Sequence, residues 1–465
     1  MSHSASPGTG PRIVPSADEL RRRVEQDFPA ALADLYRLVA IPSLSTLTAD
    51  RAPLERSAES VASLLKSVGV QDVEIVHART ESGILGGPGV LGRIPGPAGA
   101  PTVLLYAHHD VQPVADDWDT DPFVPTQIAD RLYGRGSADD GAGVVAHVAA
   151  LRALGSELGV GIAVFIEGEE EAGSPTFARI LSEHADRLAA DIVIVADSDN
   201  WAIGVPALTV SLRGVAELTV TLRIAEHAVH SGMFGGPILD APLLLARLIS
   251  TLHDDDGAVA VPGLAATGSS QLAYPEDRFR EDSSLLPGVR LAGRGSVADR
   301  LWWSPAIDLI GFDATSVDAA SGTIIPQARA KLSLRVPPGT DAAEAQAILH
   351  RYLLDRNAFG AEVTVEDGAV GEPFTVPADS QAMEAATWAL CAAWGREPVN
   401  QGQGGSIPLT HDLAKTFPGI QVLLTGVEDP DSRAHSGNES VHLGELQKAI
   451  LAEALLLARL ATSWE

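Results

Sequence analysis

Apolar and polar positions fall into two textures along this chain. From Ser16 the segment SADELRRRVEQDFPAALADLYRLVAI repeats its apolar residues at helical spacing, and Ser16 with Glu19 predicts a capping box at its start. A second helix is expected over about 54–67. Short unbroken apolar runs follow: VLLYA into His108, GIAVFI into Glu167, DIVIVA into Asp197 and QVLLTGV toward Glu428. Runs of this kind read as strands covered on both faces, as in a parallel sheet. DVEIVHA and GVLGRI read as further strands, and helical patterns over GVVAHVAALRAL and near 176–188 separate the runs in β-α-β-α order. That order predicts an α/β fold with a doubly wound, mainly parallel sheet.

At about Leu212 the pattern changes. AELTVTLRI alternates apolar and polar residues, the signature of a strand with one wet face. A helix over DAPLLLARLISTLH comes next, then a long irregular stretch from about 254 to 305. GTIIPQARAKLSLRVPP, a helix over AAEAQAILHRYLL and the strand AEVTV complete this region. It predicts a smaller α+β unit, an antiparallel sheet with two helices. Past residue 374 the first texture resumes and ends in the helix LGELQKAILAEALLLARLATSW. The expected organisation is a first part over 1–211, an inserted domain over 212–374 and a second part over 375–465.

Candidate chemistry gathers where the apolar runs end. His108 and Asp110 are two apart, so on extended backbone both side chains point the same way. Glu169, Glu170, Glu171 and Gly173 follow GIAVFI, Asp199 and Trp201 follow DIVIVA, and His435 lies in DSRAHSGNES beyond QVLLTGV. Ligands of open α/β sheets bind beyond the carboxyl ends of the strands. Crowded carboxylates repel, and a divalent cation is the usual group that holds them together.

Composition narrows the chemistry. The 465 residues exceed what one core normally fills, so two domains are expected. Apolar residues at 45% and charged residues at 20% are those of a soluble globular protein. Asp plus Glu at 61 against Lys plus Arg at 33 gives a net charge of −28, which argues against nucleic acid and anionic membranes as partners. The single cysteine, Cys391, excludes an internal disulfide and any thiolate cluster, leaving His and carboxylate as ligands; in its helical pattern it reads as core. No apolar run approaches the ~18 residues that span a bilayer. The opening MSHSASPGTGPRIVPS lacks a signal-peptide pattern and reads as a frayed terminus, so a cytoplasmic protein is expected.

The motifs YAHHDVQPV, LYGRGSADDGAG, EGEEEAGS, the Asp197 segment, VHSGMFGG, GGSIP and RAHSGNE occur in an order that resembles a family of two-metal peptidases. That family comprises carnosine-type and other dipeptidases, glutamate carboxypeptidases, acetylornithine and succinyl-diaminopimelate deacylases, and aminoacylases. The resemblance runs from about residue 20 to the end. It implies two divalent metal ions, with Zn2+ favoured and Mn2+ or Co2+ as alternatives. Asp139 would bridge them, His108 and Asp197 would complete one site, and Glu171 and His435 the other. Glu170 would be the general base, acting on a water held between the metals and then on the leaving amine. Asp110 would fix the orientation of His108. A cis peptide is implied between Asp139 and Asp140. His230 would reach the site of a partner subunit and stabilise the oxyanion. Arg335 and Thr323, with Gly404, Gly405 and Ser406, would hold the substrate's terminal carboxylate.

Two departures stand out: Ala107 replaces a common Gly before His108, and Arg433 replaces a small residue near His435. Neither removes a ligand. The long insert, DVQPV and LRVPP resemble the dipeptidase branch, so the implied function is a homodimeric, metal-dependent hydrolase of dipeptides or short peptides with a free C-terminal carboxylate. An N-acyl-amino-acid deacylase or glutamate carboxypeptidase is the alternative within hydrolases. A non-catalytic metal-binding scaffold is the remote one.

Overall fold

The computed structural model describes residues 14–46, 50–114, 117–356, 358–377, 379–405 and 408–464. The opening stretch read as a frayed terminus lies largely outside the described residues, as does Ser406. The chain divides into two compact units. The first runs to Thr209 and takes up again over Val376–Asn400 and Asp412–Glu465; the second is Val210–Thr375 with Gln401–His411.

The first unit is built on a six-stranded sheet in the order Gln71–Val76, Gly89–Ile94, Gly161–Glu167, Thr102–His108, Ile192–Val195, Gln421–Leu424. The last four strands are mutually parallel, and the first two join antiparallel. Val103, Leu104, Leu105, Tyr106 and Ala107 are all buried, which is why that run is apolar without alternation. The register sets His108 beside Glu167 and Tyr106 beside Val195, so the strands end together at one edge. Helices Ala17–Val39, Gly141–Leu154 and Leu443–Ser463 pack on one another.

The second unit holds a four-stranded antiparallel sheet ordered Ala306–Asp313, Gln327–Val336, Gly214–Arg223, Glu362–Gly371. Along Gly214–Arg223 buried and half-buried residues alternate. Ala216, Leu218, Val220 and Leu222 face a core that Ala241–Ser250 and Ala342–Asp355 close with Leu244, Leu245, Leu248, Leu349 and Leu353.

Several expectations need correcting. Ser16 Oγ accepts from Glu19 N at 3.2 Å, but the Glu19 carboxylate does not return the bond: it pairs with Arg22 and Arg23. The helix near 176–188 is two short helices, Phe177–Glu183 and Ala185–Leu188, parted at His184. The stretch from 254 to 305 contains helices Glu276–Asp282 and Val297–Trp302, the latter opened by a Ser296–Asp299 capping box. The edge strand Ala306–Asp313 went unread because most of it is exposed and shows no apolar alternation. Cys391 is half-buried rather than core, its Sγ 3.6 Å from Glu397 Oε1.

Candidate metal centre

The four parallel strands end in, or lead within a few residues to, groups that are costly to bury without a partner: His108, Glu167, Asp197 and Glu428. His108 Nε2 lies 2.9 Å from Asp139 Oδ1, and His435 Nε2 lies 3.0 Å from the other oxygen of Asp139 and 3.3 Å from Glu171 Oε2. Donor atoms of His108, Asp139 and Asp197 lie within 4.8 Å of one another, and so do those of Asp139, Glu171 and His435. Asp139 belongs to both groups, one carboxylate oxygen turned toward each histidine.

Local structure explains the placement. Asp139 precedes the helix Gly141–Leu154, and the Asp139–Asp140 peptide is cis. Asp140 caps that helix by accepting from Gly143 N at 3.1 Å, and its other oxygen accepts from His108 N at 3.1 Å. One side chain thus ties the helix start to the end of the strand. Glu439 holds the same loop from the other side. Its Oε1 accepts from Ala138 N and Asp139 N at 3.0 and 3.1 Å, and its Oε2 accepts from Arg135 Nη1 and Gly136 N at 2.8 and 3.1 Å.

His108 Nδ1 sits 3.0 Å from the Asp110 main-chain oxygen, and only 3.5 Å from its carboxylate. The carboxylate oxygens also accept from Glu170 N and Glu171 N at 3.1 and 3.0 Å. Gln112 donates to Glu171 Oε2 at 2.5 Å. His435 is held in a left-handed conformation with φ 63°, as are Arg433 and Asn438 in the same loop. Such values are uncommon for non-glycine residues and concentrate where structure serves a site. Sequence reasoning passed over Gln112, Glu439 and Arg135; the DVQPV and SGNES motifs contain two of them, but nothing local says what they bond.

The electrostatics are those of a cluster that attracts cations. Burial pushes the Asp197 carboxyl up to about 6, with Asp139 and Glu171 adding to the effect. Burial and then Asp197 hold Glu170 well above the ordinary carboxylate range, and burial and then Asp139 do the same for Glu428. Asp139 goes the other way, because His108 and His435 outweigh its burial. Contact with Asp139 and Glu171 raises His435 to about 11. Imidazole and carboxylate donors in two sets sharing one carboxylate, with excess negative charge out of water, fit a pair of divalent cations.

In the second unit, Val229–His230 pairs with Thr323–Ile324, setting His230 directly opposite Thr323. His230 is exposed, and its Nδ1 accepts from Gly232 N at 3.0 Å. Arg335 is half-buried on the central sheet, opposite Val215 on one side and Ala306 on the other. Gly404 and Gly405 follow the strand Val399–Gln403.

The pattern of the family described as "Peptidase family M20/M25/M40" matches residues 104–459. A cysteinylglycine-S-conjugate dipeptidase of Corynebacterium striatum is 36% identical over 367 residues, 77% of this chain and 81% of the relative. A beta-Ala-His dipeptidase of Homo sapiens is 30% identical over 366 residues, 73% of this chain and 71% of the relative. Among solved structures, a di-peptidase of Saccharomyces cerevisiae superposes with a TM-score of 0.85 at 21% identity, covering 97% of this chain and 99% of that one. This last likeness speaks for the fold.

Proposed function

The chain belongs to peptidase family M20/M25/M40, and from that membership and the site geometry we infer that it is a metal-dependent dipeptidase. Its substrates are dipeptides or short peptides with a free C-terminal carboxylate. The observation that carries the reading is the single carboxylate of Asp139 lying between His108 and His435, with Glu170 beside ligand Glu171. His108, Asp139 and Asp197 would hold one divalent ion, and Asp139, Glu171 and His435 a second. The donor set suits zinc, and manganese or cobalt as well. Ions bound there would supply Lewis acidity toward the scissile carbonyl and toward water.

The chain's own groups do the rest. Glu170 takes the proton of the attacking water and delivers it to the leaving amine. Asp110 fixes the backbone that carries Glu170 and Glu171. Arg335 grips the substrate carboxylate, with Thr323, Gly404, Gly405 and Ser406 as further contacts. His230 stabilises the oxyanion in the site of a partner subunit, so the working species is a homodimer. Its interface draws support from the second unit's exposed apolar side chains, Met233, Phe234, Leu309, Ile310 and Phe312, the last three on the edge strand Ala306–Asp313. The single cysteine agrees with a cytoplasmic enzyme.

Glu170→Gln in the metal-loaded enzyme should lower kcat by about 10³-fold or more while metal content, read by mass spectrometry, stays at the wild-type level. Unchanged turnover would remove Glu170 as the general base, and a metal-loaded wild type without turnover would leave only a scaffold role. Assayed side by side, dipeptides should be hydrolysed faster than N-acetyl amino acids or folate-like glutamates; the reverse order would move the enzyme to the deacylase or carboxypeptidase branch.

A further inference from the structure

Arg213 is the charged residue in the second unit whose surroundings its fold does not explain. It is only 8% exposed, and its Nε is buried without a hydrogen-bond partner. Among the described residues neither Arg213 nor Arg335 forms an ion pair with a carboxylate. A buried guanidinium without a counter-charge is costly unless a ligand supplies one.

The sheet shows where this side chain goes. Arg213 immediately precedes Gly214, which pairs with Val336, next to Arg335. Its Nη1 donates to Ser304 O at 3.4 Å, and Ser304 stands two residues before Ala306, which pairs with Arg335 from the opposite side. The strand Gln327–Val336 lies between the strands that Arg213 and Ser304 lead into. To reach Ser304, the Arg213 side chain must therefore cross the end of the middle strand, past Arg335. Burial, and then the charge of Arg335, pull Arg213 down to about 10, while exposed Asp308 works the other way.

Gly404 closes over the Arg213 guanidinium. A Cβ built on it would stand 2.8 Å from Arg213 Nη2, so the glycine backbone is what allows the loop this near the guanidinium. Two arginines near enough to repel, one of them buried with an unbonded donor and covered by a glycine, suit an anion.

We propose that Arg213 is a second substrate-binding arginine, which with Arg335 clasps the C-terminal carboxylate of the peptide. This rests on the reading of the chain as a dipeptidase for substrates with a free carboxylate. One carboxylate between two guanidinium groups can take paired bonds from one and a single bond from the other, and it relieves the repulsion between them. Arg213 thereby sets selectivity for an acid over a neutral terminus.

The test is steady-state kinetics of the full-length, metal-replete enzyme on alanyl-glycine and on alanyl-glycinamide. Wild type should favour the acid. Arg213→Met should raise KM for the acid by about tenfold or more with kcat changed less than about threefold, and leave kcat/KM for the amide unaltered, collapsing the preference. Arg213→Lys, which keeps the charge but not the fork, should fall between, and it carries the test if the methionine variant does not fold. A wild-type preference that survives in the variants, or an equal loss on both substrates, overturns the role of Arg213 alone. A wild type that treats acid and amide alike overturns the free-carboxylate reading and this inference with it.

Discussion

Three consecutive glutamates in EGEEEAGS occupy three environments. Glu169 is buried and serves the fold: its Oε2 accepts from Gly87 N at 2.7 Å and its Oε1 from Thr176 N at 2.7 Å. Glu170 faces Asp197, and Glu171 meets Gln112 and His435. The turn that separates them starts at Gly168, where a Cβ would stand 2.4 Å from Pro88 O. Asp110 then fixes the turn by taking both following amides. Asp110→Ala should therefore lower kcat by about 10–100-fold and weaken metal retention together, since base and ligand share that backbone. Kinetics with parallel metal analysis check it, and a variant with wild-type kcat contradicts it. His108, Asp197 and the glutamates could be picked out in the sequence because apolar strands run directly into them. That Asp110 also takes two main-chain amides could not, because which amides a carboxylate meets depends on a turn that leaves no periodic trace.

At the level of elements, the loop before the helix Gly141–Leu154 and the loop before Leu443–Ser463 are locked by Arg135 and Glu439, which are 304 positions apart. Both are essentially inaccessible to water, and the Arg135 guanidinium also stacks 5.4 Å from the Trp118 ring centre. Glu439→Ala would strand a buried arginine and free three backbone amides. A loss of about 3–5 kcal/mol in urea unfolding is expected, and a loss below about 1 kcal/mol would contradict the clamp. The pair was invisible to a reading based on spacing, which registers only neighbours along the chain.

The same helices meet through His147, whose Nδ1 lies 2.8 Å from Glu453 Oε1 and whose Nε2 lies 2.9 Å from Tyr106 O. Burial opposes the charged ring, but Glu453 outweighs it, and the pKa of His147 is raised. Its contribution to stability is therefore fully present below the unfolded value of about 6.5 and is lost as pH rises through the folded value. Glu453→Gln should flatten that decline, measured as unfolding free energy against pH; an unchanged slope would show that this pair does not carry it. The sequence could supply only that His147 sits in a helical pattern.

For the whole molecule, the α/β class could be read in the sequence because four parallel strands are buried on both faces and so lose all alternation. The antiparallel sheet declared itself through Gly214–Arg223, while its exposed edge Ala306–Asp313 did not. If His230 serves a partner's site, His230→Ala and Glu170→Gln are each inactive for different reasons. Mixed under exchange, they should regain about a quarter of wild-type activity, since half the dimers are hybrid and each holds one intact site. No recovery from an exchanging mixture would place His230 within its own subunit's site or outside catalysis.

Two cations meeting at Asp139 are what the proposed chemistry requires, and anomalous diffraction from crystals grown with zinc tests for them directly. Two peaks about 3.5–4 Å apart, one toward His108 and Asp197 and the other toward Glu171 and His435, with the Asp139 carboxylate between them, are the expected result. A single peak, or a pair that Asp139 does not touch, would contradict it.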